Sequence, residues 1–229
     1  MARSVPYLRQ TFNHPNPLAR FAHRSRYARS LGLVDQLAAQ GAVVLDFGAG
    51  TGEWLRQLRT RRPDLDLIGY EPFKSIEDSS LATRATMDEV ERGSVDCLCA
   101  FEVLEHLNAD DIALFVAHAL RVVRPGGRVV VSVPIVEGAA LPFKLGSHAV
   151  LFRNLSGYGL QDIAAGLIGR PVARTADLFW SHKGFSHRTL ARSFGEAFET
   201  ADTMYSPFTV LPWWLNSQVF WVLKPHAAF

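Results

Sequence analysis

Cysteine is scarce in this chain: Cys97 and Cys99 are the two it has in 229 residues. Residues two apart in a strand share a face and cannot comfortably bridge, so the pair reads as small core residues, not as a disulfide or a zinc pair. Long hydrophobic runs are missing too, which excludes a spanning helix of about 20 apolar residues. The opening MARSVPYLRQ lacks the apolar core of a secretory signal, so a cytoplasmic location is expected. Charge is modest at 20% with a net +2, too little to argue for nucleic-acid binding by the whole domain, and no such partner is expected. Acid is absent before Asp35, where six arginines stand alone. That basic start is a solvated helix face or, in a sharper reading, a surface for an anionic substrate or for peripheral contact with membrane headgroups.

What is present alternates. Asn16 and Pro17 have the form of an N-cap and a first helical residue, and LARFAHRSRYARSLGLVDQLAAQ continues as one or two helices until Gly41. Residues 42–48, AVVLDFG, have the brevity and β-branching of a buried parallel strand, and GEWLRQLRTRR follows at helical period. LDLIGYEP is a second strand ending in Glu71, a third falls near 81–87, and SVDCLCAFE is a fourth. LEHLNADDIALFVAHALRVV reads as one helix, and the PGG of 125–127 as a turn into a fifth strand, GRVVVSVP. Such alternation means βαβ units and a parallel sheet.

Residues 135–198 break the rhythm with Gly, Pro, His and aromatics around one helix, GLQDIAAGLIG, and read as an insertion over the active site. TADTMYSPF and SQVFWVLKP close the chain as two strand-like segments. The expected fold is α/β: a Rossmann-like doubly wound sheet of seven mostly parallel strands, with N-terminal helices and a cover insertion. One domain, 1–229, is expected, with a helical cap at 1–40, a cofactor-binding core at 41–134, the cover at 135–198 and a strand pair at 199–229.

The most specific signal is VVLDFGAGTGEW. A strand ends in Asp46, the chain turns through Gly48, Ala49, Gly50 and Gly52, and a helix begins, so a ligand can approach the backbone and meet unpaired N–H groups. A dinucleotide fingerprint would read G-x-G-x-x-G, yet Glu53 stands where its third glycine belongs. That spacing weakens a nicotinamide-dependent oxidoreductase, and Glu71 at the next strand end supplies a carboxylate for ribose hydroxyls.

In order and separation, DFGAGTG, GYEP, FEVLEHL and LRVVRPGGRVVVSVP resemble the motif series of class I S-adenosylmethionine-dependent methyltransferases, of the type 11/12 kind. The resemblance is strongest over 41–134 and continues more weakly to the C-terminus, where it implies a C-terminal antiparallel strand. It implies S-adenosyl-L-methionine as cofactor, held by Asp46, Gly48, Ala49, Gly50 and Gly52, with Glu71 and Pro72 at the ribose, Met87 or Asp88 by the adenine, and Phe101 and Glu102 beside the cofactor.

FEVLEHL then sets Glu102, Glu105 and His106 at the chemical end of the fourth strand. His106 has the intrinsic pKa to take a proton from a hydroxyl, with a glutamate to orient its ring. Alternatively, two carboxylates and an imidazole hold a divalent ion that acidifies the hydroxyl. The ExxEH pattern is similar to that of ubiquinone-pathway O-methyltransferases and small-RNA ribose methyltransferases, which implies a metal such as magnesium and makes His182 a fourth ligand. LEHL is also common in metal-independent relatives, where Glu105 is a helix-start carboxylate and His106 a packed neighbour.

Leu141, Phe143, Phe152, Tyr158, Phe179 and Trp180 make the cover greasy, Trp213 and Trp214 add to it, and His148 and His187 are further histidines there. The insert's own small core accounts for most of these residues. The expected reaction is O-methylation of a small molecule, lipid precursor or saccharide, with N- or C-methylation open. A non-catalytic cofactor-binding scaffold is the remaining alternative.

Overall fold

The computed structural model describes residues 16–73, 81–138, 141–142, 145–146, 157–170, 172–176, 178 and 181–226. A first helix, α1, runs Pro17–Leu37, opening on the proline the sequence marks as its first residue. It is followed by β1 (Val43–Phe47), α2 (Glu53–Arg61), β2 (Asp66–Tyr70), β3 (Ala82–Arg84) and β4 (Val95–Phe101). Then come α3 (Ala109–Val122), β5 (Val123–Pro134), α4 (Leu160–Leu167), α5 (His187–Phe194), β6 (Phe198–Ser206) and β7 (Gln218–Pro225).

The strands form one sheet in the order β3-β2-β1-β4-β5-β7-β6. β1 pairs in parallel with β2 through Leu45↔Ile68 and Phe47↔Tyr70, and with β4 through Leu45↔Leu98 and Asp46↔Cys99. β6 and β7 run antiparallel, since Ser217 donates to Ser206 at one end and His226 to Ala197 at the other. The mixed seven-stranded Rossmann-like sheet expected from the sequence is the one observed.

Two compact units emerge. The sheet unit comprises what is described of Ser30–Val133, Arg188–Met204 and Phe220–Phe229, and the second unit what is described of Met1–Arg29, Pro134–His187 and Tyr205–Val219. In the sheet unit Leu45, Leu55, Leu58, Leu67, Leu98 and Phe115 are fully buried. Each such side chain contributes roughly 1.5–3 kcal/mol relative to exposure. Cys97 and Cys99 are buried free thiols with Sγ atoms 3.8 Å apart, and burial together with Cys97 pushes the Cys99 thiol well above its ordinary value.

Three local expectations change. The stretch LEHLNADDIALFVAHALRVV is not one helix: Leu104–His106 is a separate 3-10 turn, and α3 starts only after Asn108, whose side chain accepts from the Asp111 N–H at 2.9 Å. An Asn cap with Asp110 and Asp111 in the first turn outweighs the apolar periodicity around it. The third strand is only three residues long, and Met87 belongs to a 3-10 turn headed by Thr86. The PGG segment lies inside β5, where the pairing with β4 shifts between Val95 and Cys97. A Cβ on Gly127 would come within 2.7 Å of Val123, so the irregularity needs a glycine there.

The second unit has a small core of Leu141, Leu145 and Tyr158, with Ile163 and Val172 packed on it. Lys183 closes over that core. Its ammonium pairs with Asp162 at 2.6 Å, donates to the Gly157 carbonyl at 2.8 Å and lies 5.8 Å from the Tyr158 ring centre. Leu141 and Tyr158 are therefore core residues, as most of the cover aromatics were expected to be. His148, Phe143, Phe152, Phe179 and Trp180 lie outside the described residues.

Candidate active site

Strand order reverses between β1 and β4, and a doubly wound sheet opens its ligand crevice there, beyond the carboxyl ends of the strands. Three of the sequence signals meet at that end of the sheet unit. After β1 the chain turns through Gly48, Gly50 and Gly52, with φ of 80°, 57° and 77°. Only glycine adopts this run of left-handed backbone without strain. The N–H groups of Gly48 and Ala49 both donate to the Tyr70 carbonyl, at 2.8 and 3.0 Å, so the turn is fastened to the end of β2.

Glu71, the next residue, reaches back. Its Oε2 accepts from the Gly50 N–H at 2.8 Å and its Oε1 from the Phe73 N–H at 3.0 Å. Gly50 itself faces open space, with nothing within 4 Å of a built Cβ. Gly48 is the opposite: a Cβ there would lie 2.6 Å from Val103 Cγ2. Val103 thus covers the start of the turn, a role the sequence reading did not give it. Asp46 is buried at the end of β1, and burial first, then the charge of Glu71, raises its pKa from 3.8 to about 7.

At the end of β4, Phe101 packs its ring 4.9 Å from Trp54 and 6.4 Å from Phe220. Trp54 is fixed in turn by a buried bond from its indole N–H to Ser30 Oγ, 2.9 Å long. Glu102 then takes φ of 58°, the one left-handed residue other than glycine among those described. A side chain there costs of order 1 kcal/mol or more, which makes such residues worth attention at a ligand crevice. Two bonds to β5 hold it: its N–H donates to the Ser132 carbonyl at 2.9 Å, and Ser132 Oγ donates to its Oε1 at 3.2 Å. Ser132 was legible as the one polar residue in the run VVVSVP.

Glu105 and His106 occupy the 3-10 turn, not the first turn of α3. Glu105 is wholly buried, and its Oε1 lies 3.9 Å from His106 Nε2, while His106 is 31% exposed. Met87 is buried, Pro72 is exposed and Ala49 is buried under the turn. His182 belongs to the second unit, where its carbonyl accepts from the Phe185 N–H at 3.0 Å. His187, one of the further histidines of the cover, is 5% exposed and opens α5, its ring 5.5 Å from that of Trp213. Packing against an indole accounts for its burial.

An open sheet with a glycine turn at its switch point and an acid after the neighbouring strand defines a nucleotide-cofactor protein of the doubly wound class. A family model described as a methyltransferase domain matches residues 20–190, most of the chain. The chain belongs to this methyltransferase family.

Three relatives give the setting. An uncharacterized 37.1 kDa protein in transposon TN4556 of Streptomyces fradiae is 28% identical over 159 residues, or 63% of this chain and 45% of the relative. The match thus spans under half of that relative's length. In structure the chain is similar to the 1,6-didemethyltoxoflavin-N1-methyltransferase of Burkholderia thailandensis, with bound 1,6-didemethyltoxoflavin and S-adenosylhomocysteine. That likeness has a TM-score of 0.58 at 17% identity, covering 87% of this chain and 78% of the other. It is also similar to the geranyl diphosphate C-methyltransferase of Streptomyces coelicolor, in complex with Mg2+, geranyl diphosphate and S-adenosyl-L-homocysteine. Here the TM-score is 0.57 at 15% identity, with 89% and 80% covered.

Proposed function

We propose that this chain transfers a methyl group from S-adenosylmethionine to a hydroxyl of a small molecule, a lipid precursor or a saccharide. The observation that carries the reading is the Glu71 carboxylate held against the Gly50 N–H beside a turn with no room for a side chain at Gly48. A glycine turn that lets a ligand close on the backbone, with a carboxylate at the next strand end, suits the amino-acid and ribose ends of that cofactor. When bound, it supplies an electrophilic methyl group. Asp46, Gly48, Ala49, Gly50 and Gly52 line its place in this reading, Glu71 accepts its ribose hydroxyls, and Pro72, Met87, Phe101 and Glu102 border it.

His106 takes the proton of the acceptor hydroxyl, and the buried Glu105 carboxylate 3.9 Å away stabilises the imidazolium that forms. A divalent ion such as magnesium, implied by the ExxEH resemblance, would meet carboxylate oxygens that suit it beside an imidazole that suits a transition metal better. As the alternative to proton transfer by His106, Glu105 and His106 would hold it, with Glu102 as a further ligand, and it would lower the hydroxyl's pKa. The likeness to an N- and a C-methyltransferase supports testing nitrogen and carbon acceptors as well. No helix among the described residues is long and apolar enough to cross a membrane. The reading keeps the protein in the cytoplasm, a reducing compartment that suits its two free thiols.

Calorimetric titration with S-adenosylhomocysteine beside NADH, before and after chelation of divalent ions, tests this first. Binding of the former alone is expected, while binding of NADH, or of neither, overturns the cofactor assignment. Methyl transfer to a hydroxyl panel then tests the acceptor. His106→Ala should keep cofactor binding and lose turnover, and full activity in that variant removes His106 from the chemistry.

A further inference from the structure

The second unit turns an unusual amount of large apolar surface outward, and one loop carries much of it. Between β6 and β7 the chain reads PFTVLPWWL at 207–215, with no charged residue. Val210 is 91% exposed, and Phe208, Leu211, Trp214 and Leu215 are also exposed. A loose loop with so many apolar groups would fold them inward, but this one is pinned. Asn216 is fully buried, and its side chain accepts from the Phe208 N–H at 2.8 Å and donates to the carbonyls of Leu211 and Pro212 at 3.0 and 3.1 Å. Two further turn bonds, Leu211 N–H to Phe208 and Leu215 N–H to Pro212, complete the frame. The apolar side chains are therefore presented on a preformed backbone.

This surface continues at both ends. Phe208 lies 6.2 Å, ring centre to ring centre, from Phe21 of α1. Phe21 belongs to a stripe of exposed residues, Pro17, Phe21, Arg24 and Ala28, which recur at helical spacing on one face. At the other end, Trp214 lines an open cleft of about 330 Å³ with Leu167 and Ile168, both also exposed. The two chain segments that meet at Phe21 and Phe208 carry no acid in 1–34 and none in 203–229. The exposed Arg24 of α1 and the exposed Arg170 beyond α4 flank this apolar patch, which matches a surface that is apolar within and anionic at its edge.

We propose that the 207–215 loop and the outer face of α1 dock on an anionic lipid surface, the loop entering the headgroup boundary and Arg24 meeting the lipid phosphates. Tryptophan is suited to that boundary, since its ring is amphipathic. The docking is of the interfacial kind and needs no spanning segment. It also places the contact in a defined loop, where the sequence had suggested only the basic N-terminal stretch.

The test is co-sedimentation of the full chain with sucrose-loaded vesicles, either equimolar phosphatidylglycerol and phosphatidylcholine or phosphatidylcholine alone, at low and physiological salt. Binding to the anionic vesicles is expected to weaken by about tenfold or more in Val210→Ser/Leu211→Ser at every salt concentration. In Arg24→Ser it weakens by about fivefold, and mainly at low salt. Val210→Asp, a single change at an almost fully exposed position, repeats the loop test should the double variant fail to fold, and circular dichroism checks each variant. Absence of binding to anionic vesicles overturns the proposal. So does equal binding by the loop variants, which would leave the basic stretch as the cause. Concentration-dependent dimerisation without vesicle binding, abolished by Val210→Asp, would assign the surface to a second copy and overturn it as well.

Discussion

The two units use the same apolar composition in opposite ways. In the sheet unit, strands such as β1 and β4 bury their apolar side chains almost completely, and polar groups enter where strands end. In the second unit the described core is three residues with two more packed on it. Apart from Phe73, Leu114 and Leu120, the large exposed apolar residues belong to this unit. Burial in the first makes a platform for chemistry, and exposure in the second makes a face for contact. A sequence's hydrophobic content therefore says how much surface must leave water, not whether a core or a partner removes it.

Glycine substitutions test the contrast most strongly. Gly48→Val forces a Cβ to 2.6 Å from Val103 at φ of 80°, so S-adenosylhomocysteine binding should be lost, with a stability cost of about 3 kcal/mol or more in urea unfolding. Val103→Ala in the same chain should recover part of the stability by opening space. Retained binding in Gly48→Val alone would dissociate the turn from the cofactor. In the second unit Gly184→Ala meets backbone, the Ala173 carbonyl oxygen at 2.5 Å, with φ of 74°. About 2–4 kcal/mol is the expected loss, read from the same unfolding experiment. A neutral result would mean that the second unit yields where the sheet unit does not.

Asp46 gives a pH test of the sheet unit alone. Its pKa is about 7 in the folded protein against 3.8 ordinarily, so the unfolded chain releases this proton first. Stability should therefore fall as pH rises from about 4 to about 7 and flatten above. Asp46→Asn should remove that part of the slope, gaining at most about 4 kcal/mol at neutral pH. An unchanged urea midpoint against pH would show that the carboxyl is not buried in the manner described.

The smallest effect belongs to Glu102→Gly. Relief of the left-handed backbone should offset the lost Ser132 bond and raise the thermal midpoint, by a gain of about 1 kcal/mol or less. Cofactor binding and turnover, measured beside it, should decline if Glu102 borders the cofactor.

How much could be seen in advance follows from how local each signal is. The glycine turn, the strand ending in Asp46 and the acid at 71 are fixed by neighbours within a few residues, so spacing alone exposed them. The break before α3 was local as well: Asn108 with acids at 110 and 111 is an N-cap pattern, but apolar periodicity running through it gave one long helix instead. Val103 over Gly48, Ser132 on Glu102 and the raised pKa of Asp46 depend on strand register, which places residues from distant parts of the chain side by side. No short-range rule reads those. The exposed loop was noted for its tryptophans, but not for the buried asparagine that shapes it.

The bond from the Gly50 N–H to Glu71 has a kinetic consequence. The turn already holds its left-handed shape, tied to β2 by this bond and by the Tyr70 carbonyl, before any small molecule arrives. The entropy of ordering those residues was lost during folding, so it is not deducted again at encounter. Association should then follow a single exponential with a rate linear in ligand concentration, because no slow rearrangement of the turn stands between collision and capture.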